Sequence, residues 1–416
     1  MAGEYFVDAL VADFGCGTTK IGFSGHDVPA AILPSVVGAV APLPAGAGLG
    51  ADAAPAAASA SWWRRRGPRG SGERLLASPF DAPTSGVAFR PLIDASTGLI
   101  TDWDGALAQF EWALTQRMGI TVGRGSGAAA GGGASASVQP LGEGAESVDA
   151  SAHPVLLVEA VYASKADREK WAQILFEEYD VPGVFMARGG VLALYANARV
   201  SGISIDFGAG GVTITPVQEG YPLMGGVRRS PVGGLALDEA LMKSARARGN
   251  PMRPHLPTAS ARAATASMHT SVLQWSSLKL ARDARESLCR VFEQTFVSED
   301  HAHAPTVTYD LPDGSVLSIG PEQFGVPELL FDPSPLFTQE DSPYAGAQGL
   351  GEMFNSAVLA CNIEPRRDLV SNCVITGGLS ATEGLTDRVH KELSVWAPAG
   401  TKVRAERLSL RTQVLA

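Results

Sequence analysis

The chain writes one phrase twice. At residues 13–25 it reads "DFGCGTTKIGFSG" and at 206–215 "DFGAGGVTIT", each led in by an apolar run, "ALVA" and "GISI". Each copy is a strand ending in Asp, a Gly-X-Gly break and a second β-prone run, a pattern that predicts a hairpin turned on glycine. Two such acidic, glycine-broken hairpins constrain the chain toward a duplicated α/β architecture with a cleft between its halves. The intervening signals agree. Helical spacing at 105–118 is followed by the strand "HPVLLVEA" (153–160), then by a helix that Ser164 caps at its N-terminus. Further on come a strand at "GVFM", a small-residue helix at 189–199 and a hairpin at 307–319 turned on Pro-Asp-Gly. The strand "CVITGG" (373–378) leads into the helix "EGLTDRVHKELSVW".

Composition bounds the rest. With 416 residues, 45% of them apolar, the chain can build two or more domains. Residues 39–88 and 121–152 are rich in Ala, Gly and Ser and lack periodicity, so they are expected to be flexible insertions. The run Arg64–Arg66, with Arg69 and Arg74, reads as a solvated loop in preference to a nuclear-localisation or phosphate-contacting patch, and Trp62 and Trp63 beside it mark a contact site. A net charge of −10 gives no support for nucleic-acid binding. Cys16, Cys289, Cys361 and Cys373 lack metal-ligand spacing and read as thiols of a reducing compartment. The N-terminus has no secretory pattern and no apolar run is long enough to span a bilayer, so a soluble intracellular protein with no membrane partner is expected. The histidines form no metal cluster, and His153 reads as a hydrogen-bonded core residue.

Glycine loops of this kind suit phosphate. They let successive N–H groups converge on one anion, and no Cβ blocks its approach. An adjacent carboxylate can hold Mg²⁺ through water, since Mg²⁺ keeps most of its hydration shell. Asp13 and Asp206 suit that role if the hairpins face each other, Lys20 is placed to reach a phosphate chain, and Gly377-Gly378 end a third strand. Cys16 is the one thiol whose surroundings, loop N–H groups and Lys20, favour a lowered pKa, although a structural role is the preferred reading.

These residues resemble actin and the actin-related proteins, within the actin, hexokinase and Hsp70 ATPase superfamily. The resemblance rests on "DFGCGTTKIGFSGHDVPAAILPSVVG", "GLITDWD", "VLALYANARVSGI", "QEGYPL", "YDLPDGSVLSIGPEQFGVPELLFDPS" and "RRDLVSNCVITGGLS", in that order, and covers most of the chain outside the insertions. It implies an actin-like ATPase fold, two ribonuclease-H-like domains around a nucleotide cleft. The first would span 1–188, with insertions at 39–88 and 121–152, and the second 189–416. It also implies ATP and Mg as cofactors. Asp13, Gly15, Cys16, Gly17 and Lys20 fall on the first phosphate loop, Asp206, Gly208 and Gly210 on the second. Arg285 and Glu286 fall on a Lys-Glu pair that contacts base and ribose, Gly377 and Gly378 under the nucleotide, and Asp13 and Asp206 on the metal side.

The chain also departs from its family. Hydrolysis in actin depends on a glutamine and a histidine that position water, and phosphoryl transfer is mainly positioning and charge stabilisation. Gly189 stands in the glutamine's place and Thr213, or Ile214 if the gap moves by one, in the histidine's. Ala209 replaces a second carboxylate and Thr382 an aromatic residue near the adenine. After "APAGTKVRA" the family continues with a segment that returns to the first domain, where this sequence reads "ERLSLRTQVLA". ATP binding with little or no hydrolysis is therefore expected. The stretch "GGVRRSPVGG" (225–234) is similar to a nuclear subfamily. That similarity implies a non-filamentous scaffold, nuclear with the cytoplasm also open to it. Its implied partners are actin and a helical segment of a chromatin-remodelling ATPase or histone acetyltransferase scaffold, with histones or the nucleosome as further candidates. The alternatives are a cytoskeletal actin-related protein of dynein-activator or branching-complex type, and an active ATPase or small-molecule kinase. A kinase needs a carboxylate near the phosphate; Asp102 and Asp104 read instead as a helix cap and an exposed acid.

Overall fold

Both repeated phrases form hairpins in the computed structural model, which describes residues 8–40, 63–66, 73–76, 87–122, 148–253, 268–297, 304–337, 342–397 and 401–408. In chain order the elements begin with β1 (Leu10–Phe14), β2 (Thr18–Phe23), β3 (Ala31–Pro34), β4 (Val36–Val40), β5 (Trp63–Arg66), β6 (Glu73–Leu76) and β7 (Val87–Pro91). There follow α1 (Trp103–Trp112), the short pair β8 (Ile120–Thr121) and β9 (Val148–Asp149), β10 (Val155–Glu159), α2 (Lys165–Glu177) and β11 (Val184–Arg188). Next are α3 (Gly189–Tyr195), β12 (Gly202–Phe207), β13 (Val212–Gln218), β14 (Tyr221–Pro222), β15 (Arg228–Ser230), α4 (Gly234–Ala247) and α5 (Thr270–Leu288). The hairpin β16 (Val307–Asp310) and β17 (Val316–Ile319), then β18 (Cys373–Thr376) and β19 (Ala405–Arg407), complete the strands.

The duplication extends beyond the hairpins. One sheet has the order β11-β10-β1-β2-β3 and the other, read in the same sense, β19-β18-β12-β13-β14. In each, the Asp-bearing strand is central. It pairs antiparallel with the strand that follows it (β1 with β2, β12 with β13) and parallel with one that arrives much later (β10, β18). Ligands of open α/β sheets bind beyond the carboxyl ends of parallel strands, and the aspartates end up there in both sheets. Each sheet buries its own apolar residues. Leu10, Ile21, Val155 and Leu157 pack with Phe110, Trp171 and Leu175 from α1 and α2. Ile203, Ile205 and Phe207 pack with Leu237, Ala281, Phe354 and Val389 in the larger second core.

Local signals behave as their chemistry demands. Ser164 forms a capping box with Asp167 at the start of α2, Asp102 caps α1 by accepting from the Gly105 N–H, and a π-helical turn, Ala113–Arg117, extends α1. His153 is buried, with Nδ1 2.8 Å from the Asp8 carbonyl oxygen. The reading of 39–88 as unstructured needs correction: β4, β5, β6 and β7 pair into a four-stranded sheet of order β5-β6-β4-β7. At 121–152, Thr121 belongs to β8, and β9 and a 3-10 turn, Ala150–Ala152, follow, so the ends of that stretch are structured too. The remaining residues of both stretches, with Trp62 and Arg69, lie outside the described residues. No helix among the described residues is long and apolar enough to cross a membrane.

The second core carries one buried ion pair of fork geometry. Arg388 donates to both carboxylate oxygens of Glu328 (3.0 and 3.1 Å), reaches the Gln294 carbonyl at 2.5 Å and lies over the Phe331 ring. Removing one member leaves the other charge buried without its partner. Arg388→Met is therefore expected to cost about 3–5 kcal/mol of unfolding free energy in urea titration; a loss under about 1 kcal/mol would show that water replaces the pair freely.

Candidate functional site

The two glycine loops meet. A Cβ placed on Gly17 would stand 2.9 Å from the Ala209 Cβ, and one on Gly210 would stand 2.9 Å from the Cys16 Cβ and overlap its sulfur. The tips of the β1–β2 and β12–β13 hairpins thus close on each other across the cleft, and glycine is what lets them. Behind them lies a cavity of about 460 Å³, within the usual range of small-molecule sites. Its walls include Asp13, Gly15, Cys16, Gly17 and Lys20 from the first hairpin, and Asp206, Gly208 and Gly210 from the second. Arg285 and Glu286 from α5, and Gly377 and Gly378 after β18, also line it. The twelve residues that the resemblance assigns to nucleotide and metal therefore line one cavity. Gly377 has φ +88°, and a Cβ there would run into the Asp206 carboxylate and the Phe207 backbone, so glycine is required twice over.

Electrostatics single out the paired acids. Register sets Asp13 opposite Lys20, whose Nζ is 3.3 Å from the carboxylate, while Asp206 lies opposite Thr213 with no such cation. Burial, and then the charge of Asp13, push the Asp206 carboxyl up to about 6, against an opposing pull from Lys20. A buried carboxylate whose charging a second carboxylate opposes, at the mouth of two N–H-rich loops, suits a hydrated Mg²⁺. Among the described residues no group of three or more His, Cys, Asp or Glu side chains converges.

Gly189, Thr213 and Ala209 line the same cavity, so a glycine and a hydroxyl stand where the resemblance calls for the water-positioning glutamine and histidine, and an alanine where it calls for a second carboxylate. The strand register decides between Thr213 and Ile214: Thr213 pairs with Asp206 and faces the cavity, and Ile214 is fully buried in the core. Thr382 is not part of the wall.

Several residues came to light only in the structure. Adjacent arginines on β15 point opposite ways, as strand residues do. Arg228 binds Ser356 within the second half, at 2.9 Å to its hydroxyl. Arg229 crosses to the first half. It donates to the carbonyls of Ala95 (2.8 Å) and Ser96 and to the Tyr162 hydroxyl (3.2 Å), stacks on that ring, and also holds Gly210 O at 2.9 Å. Burial raises the Tyr162 hydroxyl, partly offset by Arg229. A second crossing lies at the cleft's other rim: the Phe89 N–H of β7 donates to Ser271 Oγ of α5 at 2.8 Å, and Phe89 meets the Trp275 ring edge to face. Asp238 of α4, fully buried, pairs with Arg285 and Arg282, both cavity residues, and burial raises its carboxyl against their pull.

Cys16 departs from expectation. Burial pushes its thiol up to about 11, and Arg229, not Lys20, is the cation that opposes the rise. A thiol of that pKa is almost wholly protonated at pH 8, so alkylation of Cys16 by iodoacetamide in the native protein should run at least about tenfold slower than in a free cysteine peptide. Mass spectrometry of the labelled peptide reads it; equal rates would mean the thiolate forms freely in the loop.

The sequence matches the family described as "Actin" over residues 5–413. It is 28% identical over 424 aligned residues to "Actin-related protein 4" of Arabidopsis thaliana, covering 97% of this chain and 89% of that protein. The proteins of the same name from Oryza sativa subspecies indica and japonica match at 28% with the same coverage. With two matching sheets, two facing glycine hairpins and a family match that spans nearly all its length, the chain belongs to the actin family.

Proposed function

We propose that this protein is a non-filamentous actin-related scaffold subunit that holds Mg-ATP as a structural ligand, with little or no hydrolysis, inside nuclear chromatin-remodelling and histone acetyltransferase assemblies. The observation that carries the nucleotide half of this reading is the cavity itself. Both hairpins supply N–H-rich loops and a carboxylate to it, and Lys20 supplies a cation. The same cavity offers Gly189 and Thr213 in place of groups that orient and activate water, and Ala209 in place of a second carboxylate.

The division of labour follows from the residues. The loop amides around Gly15–Gly17 and Gly208–Gly210 would cradle phosphate oxygens, with Lys20 neutralising them. Asp13 and Asp206 would hold the hydrated cation, whose chemistry here is charge neutralisation. Arg285 and Glu286 would face the nucleoside. A ligand gripped by both hairpins stabilises the closed cleft by mass action and needs no turnover to do so.

The scaffold half rests on likeness: the relatives bear the name "Actin-related protein 4", and "GGVRRSPVGG" at 225–234 resembles the nuclear subfamily. On this reading the partners are actin and a helical segment of a remodelling ATPase or acetyltransferase scaffold, with nucleosomal histones nearby.

Two measurements test it. The purified chain should carry bound ATP, and stripping it with a chelator should lower the thermal midpoint; at ligand near 1,000 times Kd the difference is about 4 kcal/mol. Steady phosphate release at the rate of conventional actin would contradict the non-hydrolysing reading. Tagged protein recovered from nuclear extract should bring actin and remodelling or acetyltransferase subunits, whereas dynein-activator or branching-complex subunits from cytoplasm alone would favour the cytoskeletal alternative.

A further inference from the structure

Outside the glycine loops the cavity has a second charged wall that the repeated hairpins do not explain. Asp238 sits one turn into α4 with its side chain fully buried, 2.6 Å from Arg285 Nε and 3.4 Å from Arg282 Nε. The side chain of Arg285 is 4% exposed and that of Arg282 31%, and both residues line the cavity. Both contacts use Nε, the guanidinium nitrogen nearest the chain, so the terminal nitrogens remain for the cavity and for Glu286, whose carboxylate is 3.7 Å from Arg285.

The position of this cluster along the cleft follows from how α4 starts. Its first N–H groups are tied to the second glycine loop, Gly234 to the Gly208 carbonyl at 3.1 Å and Leu235 to the Ala209 carbonyl at 2.8 Å. From Gly234 to Asp238 the helix rises about 6 Å. The guanidinium pair therefore stands about one helical turn beyond the loop suited to phosphate, on the wall formed by α5. A ligand with its phosphates in the loops presents its next chemical group there.

We infer that Asp238 is a positioning residue for nucleoside recognition: it fixes Arg285 and Arg282 so that their terminal N–H donors meet the part of the ligand that follows the phosphates, and so makes the cavity select a nucleotide over an inorganic polyphosphate. This rests on the nucleotide reading given above. An arginine is a long, flexible side chain, and one held in a single rotamer before the ligand arrives loses less entropy on binding. The glycine loops treat any polyphosphate alike, because N–H groups and Lys20 read only oxygens and charge. Discrimination has to come from a wall that inorganic phosphate does not reach, and Asp238 is what orders that wall.

The test is titration calorimetry of the full chain with Mg-ATP and, separately, with Mg-tripolyphosphate. The wild-type protein should bind ATP the more tightly of the two. Asp238→Asn should weaken ATP by about tenfold or more, the usual worth of a hydrogen bond to a charged group. It should change tripolyphosphate affinity by no more than about twofold, the reproducibility of the measurement. A purely structural role would weaken both ligands together, and that result, or unchanged ATP affinity, overturns the inference. If Asp238→Asn does not fold, Asp238→Glu replaces it, since it keeps the charge and displaces the carboxylate that holds both arginines. A loss confined to ATP then supports the inference and a shared loss overturns it. A wild-type chain that binds both ligands equally overturns only this inference. One that binds neither overturns the nucleotide reading and this inference with it.

Discussion

The two glycine loops approach each other closely only because each side chain between them, Cys16 and Ala209, meets a glycine of the other loop, and the rest of this structure depends on that clearance. Gly17 faces Ala209, and Gly210 faces Cys16, at distances where no further side-chain atom fits. From that contact follow the positions of Asp13 and Asp206 at the mouth of one cavity and the burial that raises both Asp206 and Cys16. Within the second half, the first N–H groups of α4 are tied to the second loop. The glycines fix how closely the halves approach, and the cavity is the volume left over.

Much of this was legible because it is written locally. A hairpin signature is a few residues long, and finding it twice predicts a symmetry that the matching sheet orders bear out. Caps such as Ser164 and Asp102 are equally local. What stayed hidden is long-range. Arg229 is the second of two adjacent arginines with nothing to separate them in one dimension; only the alternation of β15 sends one across the cleft and keeps the other at home. Asp238 looks like any acid on an amphipathic helix until α5 packs beside it. The strands β4–β7 were lost for a different reason: the Ala- and Gly-rich stretches between them dominate the composition, and short runs such as "WRRR" and "ERLL" carry no apolar alternation. Strand pairing there is decided by partners in the sheet, which outweigh local propensity.

The buried charges divide by task. Arg388 with Glu328 lies inside the second core, outside the lining of the cavity, and stabilises one half alone. Asp238 with Arg285 opens onto the cavity. Glu159, almost wholly buried at the end of β10, also lines it, held between Arg168 at 3.1 Å and Arg188 at 3.7 Å. Arg188 immediately precedes Gly189 and Gly190, so the chain places a cation and then two residues without side chains at the start of α3. The space that a longer side chain at 189 would occupy is left to the cavity.

The helix α5 touches both halves. Near its N-terminus Ser271 and Trp275 hold the strand β7, and near its C-terminus Arg282, Arg285 and Glu286 form a wall of the cavity. From Trp275 to Arg285 is about 15 Å along a single rod. The rod has no break between those points, so the contact with Phe89 and the cavity wall sit on one continuous element. Entry and exit of a ligand then involve one lever, with Phe89 as its catch. For a ligand held in the cleft, residence would then depend on that catch as well as on the contacts inside, and a protein bound at the rim would act on the interior without touching it.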